Sequence, residues 1–315
     1  MSGLTARAAL AVLLGLACLL ALSCGGGGTG DGFRIVFDSA RDGDLDIYVM
    51  NEDGTGVRQL VDEDGRDFEP DVSPDGKTIV YASQPKGGDD TRLYLMDIDG
   101  GHRRRLGAGA GEGLVVSDDY PHWSPDGSSI AFQRTIATED SVDADLWLID
   151  METGEETRLT DTPDAWDSTP SFAADGKSVV FESNRDRQGT DIYRLDVRTG
   201  AVVRLTAEPG NDLEAKESPD GRRIVFASER DGDYEVYVMD AGGGNVRQLT
   251  DNDAADRCAH WSPDGSRLSF YSERDGDREV YMMLPDGGDQ RRLTDSPGND
   301  EVPACLTTEV VTTVF

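Results

Sequence analysis

The sequence predicts an all-β fold. The expected architecture is a six-bladed β-propeller of four-stranded antiparallel blades, with the N- and C-terminal strands paired in one blade to close the ring. Three repeated markers support this. Ser-Pro-Asp-Gly, with one degraded copy at Ala173-Ala174-Asp175-Gly176, places its Asp at Asp75, Asp126, Asp175, Asp220 and Asp264. Arg-Leu-Thr or a close variant places its Leu at Leu60, Leu106, Leu159, Leu205, Leu249 and Leu293. An apolar–aromatic pair follows an acidic loop at Ile47-Tyr48, Leu93-Tyr94, Leu146-Trp147, Ile192-Tyr193, Val236-Tyr237 and Val280-Tyr281. The markers keep one order and nearly one phase, and a repeat of that size built from short strands is a propeller blade.

The unit from His260 to Thr294 shows the elements in order. His260-Trp261 ends a first strand. Ser262-Pro263-Asp264-Gly265 makes a tight turn, because Pro fixes φ and Gly tolerates positive φ. Arg267 to Ser272 alternates polar and apolar residues as a half-buried second strand does. A polar loop, Glu273 to Asp277, leads to a third strand at Glu279 to Met283. Pro285-Asp286-Gly287-Gly288 turns the chain into a fourth strand, Gln290 to Thr294. Complete units begin near residues 67, 118, 167, 212 and 256. Phe33 to Val61 holds only the last three strands of a unit. Asp300-Glu301-Val302-Pro303-Ala304 can supply the missing first strand and bury both open edges. The tail Glu309 to Phe315 is surplus to this scheme.

Residues 1–23 hold one charge, Arg7, followed by an apolar stretch from Ala8 to Leu22, the pattern of a secretory signal. Leu20-Ala21-Leu22-Ser23-Cys24 resembles a bacterial lipoprotein signal, although Ala21 stands where that family prefers Leu. The resemblance implies lipidation at Cys24; the alternative is ordinary secretory cleavage near Ser23, with Cys24 removed or idle. Residues 24–32 read as a Gly-rich tether and residues 33–315 as the propeller. The chain is then expected outside the cytoplasm, in the periplasm or at the cell surface, held to a membrane through Cys24.

The chain carries 62 Asp+Glu against 30 Lys+Arg, a net charge of −32. A nucleic-acid partner is excluded, since binding one needs a basic stripe. Four Cys in 315 residues exclude a disulfide-stapled mini-domain.

The pattern Pro-x-Trp-Ser-Pro-Asp-Gly, then Phe-x-Ser-x-Arg-Asp-Gly, Ile/Val-Tyr and Arg-x-Leu-Thr resembles the TolB-type, WD-like Pro-Asp repeat over about residues 33–303. The blades around Pro121–Asp126 and Trp261–Asp264 match best; the fourth lacks the Ser-Pro, and the fifth has Lys216-Glu217 where Trp is usual. The resemblance implies an extracytoplasmic binding platform that partners a protein of the envelope or periplasm, and the chain is expected to be a monomer.

Candidate site residues follow from the repeat register. Asp67, Asp118, Asp167, Asp212, Asp256 and Asp300 each stand three residues before the Pro or Ala of a first strand. They either ring one channel mouth and hold a cation such as Ca²⁺, or recur as turn residues bonded to backbone N–H groups. No cofactor is required. The acidic loops, such as Asp42-Gly43-Asp44-Leu45-Asp46, read as hairpin loops. The channel-side register holds Asp71, His122, Ser171, Lys216, His260 and Ala304. His122 and His260 fall in blades that face each other, so they are a candidate metal pair, or else polar residues beside their Trp neighbours. Cys258 and Cys305, on neighbouring first strands, are either bridged or free. No Gly-x-Ser-x-Gly, His-Glu-x-x-His or P-loop occurs, and the chain is expected not to be an enzyme. The alternative is a carbohydrate- or metal-associated propeller of the oligogalacturonate-lyase type.

Self-repulsion among these acids opposes folding, and salt screens it. The thermal midpoint is expected to rise with salt in a circular dichroism melt. Equal midpoints in low and high salt would contradict this.

Overall fold

The computed structural model describes residues 33–107, 114–138, 141–186 and 189–307. The signal segment, the tether with Cys24 and the surplus tail lie outside the described residues.

Six four-stranded antiparallel sheets form a ring of blades, and no helix occurs among the described residues. Blade one combines Asp300–Thr307 with Phe33–Ser39, Asp46–Asn51 and Arg58–Gln59, in that spatial order. Blades two to six begin with Gly65–Val72, Val115–Trp123, Asp167–Phe172, Asp212–Glu217 and Asp256–Trp261. The expected elements are present, but most outer strands are short, such as Arg291–Arg292. In blades three to six the Thr hydroxyl of the Arg-Leu-Thr segment accepts a backbone N–H of the third strand. Leu146 N–H reaches Thr160 Oγ1 at 3.0 Å, Ile192 reaches Thr206 at 2.9 Å, Val236 reaches Thr250 at 2.8 Å and Val280 reaches Thr294 at 2.9 Å.

The apolar core lies between blades. One cluster joins Val225, Val236 and Leu249 of blade five to Trp261, Phe270 and Tyr281 of blade six. Another joins Val180 and Ile192 of blade four to Ile224, Phe226 and Tyr237 of blade five. Close approach also demands glycine at one repeated place. A Cβ on Gly243 would lie 2.5 Å from the Leu205 carbonyl oxygen of the preceding blade, and one on Gly287 would lie 2.5 Å from that of Leu249.

Each blade is held internally by a buried ion pair. The first-strand aspartates, all 3% exposed or less, each meet one arginine. The pairs are Asp300–Arg41 (3.0 Å), Asp67–Arg103 (3.3 Å), Asp118–Arg134 (2.6 Å), Asp167–Arg185 (2.8 Å), Asp212–Arg230 (3.0 Å) and Asp256–Arg274 (2.5 Å). In blades one, four, five and six the arginine Nε also donates to the Ser of Phe-x-Ser-x-Arg, at 2.7–3.0 Å. The guanidinium lies over two rings, as Arg230 does over Phe226 (5.6 Å) and Tyr237 (5.0 Å). Pro85 and Ile136 occupy the arginine's place in blades two and three. There Arg103, just before the outer strand, and Arg134, two residues after Phe132, fill the same space.

All six first strands are bulged at one place: the pairing slips by one residue between Phe68 and Asp71, and at the matching position in every other blade. Non-glycine residues there adopt left-handed φ: Glu69 (54°), Tyr120 (53°), Thr169 (46°), Glu214 (58°) and Cys258 (52°). A bulge re-aims the side chains that follow it.

Removing Arg230 strands a buried carboxylate, so Arg230→Met should cost about 3–5 kcal/mol. Adding Asp212→Asn should recover part of that loss. Urea unfolding measures both, and a loss below about 1 kcal/mol, the scale of an exposed pair, would contradict the assignment.

Candidate functional site

The bulged strands bring five of the six predicted register residues together at the axis; Ala304 is not among those lining the cavity. Asp71, His122, Ser171, Lys216 and His260 line one cavity of about 390 Å³, and Pro74, Pro125, Pro219 and Pro263 of the tight turns form its rim. The five register residues come from blades two to six. Lys216 and His260 are half-buried, enclosed by the blades yet open to the channel.

His122 is fixed on two sides. Its Nδ1 lies 2.9 Å from the Trp123 carbonyl and its Nε2 lies 3.1 Å from Ser171 Oγ. The Phe172 backbone N–H also points at Nδ1, at 3.3 Å, so the carbonyl and the amide ask for opposite protonation states of that nitrogen, and the serine hydroxyl can pair with Nε2 in either tautomer. The Trp261 indole donates to the Lys216 carbonyl at 3.1 Å and so pins the strand that presents the lysine. Asp71 accepts the Trp123 backbone N–H at 2.8 Å.

Three further groups can each donate a hydrogen bond. Among the described residues, Lys216 Nζ has no ion pair or hydrogen bond and the His260 imidazole has no hydrogen-bond partner. Trp123 Nε1 is likewise unpartnered, in a side chain 7% exposed. Burial holds His122 down to about 4, with Asp71 and Lys216 acting in opposite directions. Burial first, then Lys216 and His122, holds His260 well below the ordinary histidine range. Burial also lowers Lys216, against the pull of Asp71. Both imidazoles are therefore neutral at pH 7, beside a lysine amino group that has no ion-pair partner among the described residues.

The candidate cation ring has a different place. Asp67, Asp118, Asp167, Asp212, Asp256 and Asp300 are the buried partners of the six blade arginines, which take up the charge a cation would have neutralised. Nor do they act mainly as turn residues. His122 and His260 do share the axial cavity, and each lies within electrostatic reach of the other. Among the described residues no three His, Cys, Asp or Glu side chains group in a way that holds a metal ion. The acidic loops are hairpin loops, in which Asp186 and Asp231 accept the hydroxyls of Tyr193 and Tyr237 at 2.7 Å. Cys258 is a free thiol. Trp123 Nε1 and the bulge residues escaped the sequence reading, because the bulge breaks the two-residue alternation from which facing is read.

The family model described as the TolB beta propeller domain matches residues 29–119, 112–229 and 216–310, and the chain belongs to that family. TolB from Acinetobacter baumannii shares the fold, with a TM-score of 0.72 at 24% identity, over 88% of this chain and 67% of that one. Dipeptidyl-peptidase 5 of Porphyromonas gingivalis is 30% identical over 144 residues, 42% of this chain and 20% of its own length. The uncharacterized peptidase YuxL of Bacillus subtilis is 27% identical over 167 residues, 52% of this chain and 22% of its own. The chain thus spans about a fifth of the length of these two relatives. The expectation that the chain is not an enzyme is corrected here: relatives that share its repeat are named peptidases, and an absent motif is weaker ground than that likeness.

The folded pKa of His122 lies below its ordinary value of 6.5. Between pH 6.5 and about 4 the unfolded chain binds a proton that the folded chain refuses, so this residue withdraws stability as pH falls through that window. His122→Gln should flatten the fall relative to wild type in urea unfolding at stepped pH. Identical slopes would contradict the shift.

Proposed function

We propose that this member of the TolB β-propeller family binds a peptide or protein segment outside the cytoplasm and seats a carboxylate of that segment against Lys216 in the axial cavity. The supporting observation is the set of unpaired donors there. In a chain with 62 acidic and 30 basic side chains, Lys216, Trp123 Nε1 and His260 offer an ammonium and N–H groups with no protein acceptor among the described residues. An anion would complete them, since an unpartnered buried donor is costly. The named peptidases bring peptides to this chain as the ligand class.

A hydrolytic role has its own support. Ser171 Oγ lies 3.1 Å from His122 Nε2, and in the tautomer with its proton on Nδ1, toward the Trp123 carbonyl at 2.9 Å, Nε2 would act as a base on that hydroxyl. Ser171 is 1% exposed, so a substrate would reach it only from the cavity that it lines. Delivery outside the cytoplasm rests on the signal-like residues 1–23 and on Cys24 as the lipid-bearing residue.

A peptide with a free C-terminal carboxylate should bind at least about tenfold more tightly than its amide, about 1.4 kcal/mol. Lys216→Met should erase that difference. Titration calorimetry decides this, and equal affinity for acid and amide would overturn the carboxylate reading. Cleavage of such a peptide by wild type, lost in Ser171→Ala with binding retained, would establish the hydrolytic role. Cys24→Ser should abolish incorporation of labelled palmitate and release the chain from membranes, and unchanged labelling would refute the anchor.

A further inference from the structure

We propose that a second cavity, between the inner edges of blades one, two and three, binds a primary ammonium group. The cavity measures about 430 Å³ and is lined by the carboxyls of Asp38, Glu69, Asp119 and Glu301, with Phe68 and Tyr120 among its other walls. The four acids come from three blades.

Asp38 is the informative residue. It is 2% exposed, lines the cavity, and its Oδ1 has no hydrogen-bond partner. Among the described residues, neither Asp38, Glu69 nor Asp119 has an ion-pair partner. Glu301 is paired with Arg278 at 2.9 Å. Glu69 spends one oxygen on the Tyr120 backbone N–H, at 2.7 Å. Arg66 borders the cavity with its guanidinium 5.0 Å over the Phe68 ring, and among the described residues it forms no ion pair. Three carboxyls therefore face one loosely held cation. The consequence appears in their protonation. Burial, with repulsion from Glu301, raises Asp38 to about 8. Burial raises Asp119 to about 6, with Asp118 adding to it and Arg66 and Arg92 opposing. Burial and the charge of Asp119 raise Glu69 well above the ordinary range. A cation seated among them would reverse each shift.

The geometry favours an ammonium over the other cations. Among the described residues no three ligating side chains are grouped for a metal ion, and the cavity is far larger than a bare ion. A guanidinium is a flat fork that prefers both oxygens of one carboxylate, and the guanidinium already at this cavity, that of Arg66, pairs with none of its carboxyls among the described residues. An ammonium offers three N–H donors in a tripod, which suits single oxygens approaching from three blades. The Phe68 and Tyr120 rings would cover its apolar stem. Such a group comes from a lysine side chain or from the amino terminus of a peptide. This site has the opposite charge from the Lys216 cavity, does not share its lining, and does not depend on it.

The test uses the full chain and three small probes in titration calorimetry at pH 8. Nα-acetyl-lysine methylamide carries a side-chain ammonium, alanine methylamide an amino-terminal one, and Nα-acetyl-norleucine methylamide none. Binding of at least one ammonium probe is expected, with norleucine at least about tenfold weaker, and the probe that binds identifies the source. Asp38→Asn with Glu69→Gln should weaken binding by a similar factor, while Lys216→Met leaves it unchanged. The double variant removes repulsion, so its thermal midpoint should hold or rise, which separates lost binding from lost fold. Binding of the norleucine probe as tight as the ammonium probes, unaltered binding in the double variant, or failure of both ammonium probes would overturn the proposal.

Discussion

A carboxylate buried on the first strand of every blade has to meet a cation, and this requirement organises the molecule. Taking an aspartate out of water costs several kcal/mol unless it is paired and hydrogen-bonded. Each blade answers with an arginine that also lies over the aromatic rings of its second and third strands, so one guanidinium ties the channel-side strand to the middle of the sheet. In blades three to six the Arg-Leu-Thr hydroxyl then ties the outer segment to the third strand. Those four blades are clamped at both edges by polar groups, while their faces pack against their neighbours. The acid excess thus has two parts: the clamped aspartates hold the fold together, and the exposed acids strain it.

The bulge in each first strand explains how a tightly clamped sheet still presents functional groups at the axis. Without it, strict alternation would send successive residues to opposite faces. One extra residue, taken in left-handed φ at Glu69, Tyr120, Thr169, Glu214 and Cys258, resets that alternation just before the register that carries His122, Lys216 and His260. Strain of this kind, of order 1–3 kcal/mol per residue, is characteristic of functional sites. Here it recurs in five blades; the bulge residues Glu69 and Tyr120 themselves line the acidic cavity, and the Lys216 cavity is lined by residues that follow the bulge. Both contain groups that the protein leaves unpaired, donors in one and carboxylates in the other.

Much of this was legible in the residues. The period of the Ser-Pro-Asp-Gly and Arg-Leu-Thr markers was enough to derive the propeller, and counting along the first strands grouped Asp71, His122, Ser171, Lys216 and His260 correctly. The role of the repeated aspartates was not legible. A register shows that Asp67 and Asp212 are equivalent, but not whether they face a channel or an arginine, since their partners lie on other strands. The acidic cavity was hidden for a related reason, because Glu69 and Asp119 flank a slip in pairing that leaves no mark in composition. The absence of hydrolase motifs argued against an enzyme, but that inference tested only sequences of known form, and side chains converging from separate blades have none.

The arginine of each clamp enters from three different points on the chain: a loop at Arg41, a strand at Arg134 and the approach to the outer strand at Arg103. What is preserved from blade to blade is therefore a charge at a point in space, not a letter in a motif. A blade that looks degenerate on paper, as the second and third do around Pro85 and Ile136, can be mechanically equivalent to its neighbours. Its freed loop position is then open to drift without loosening the ring. The vacated motif positions, Pro85 and Ile136, are the places where one blade can present a surface that the blades with a loop arginine cannot.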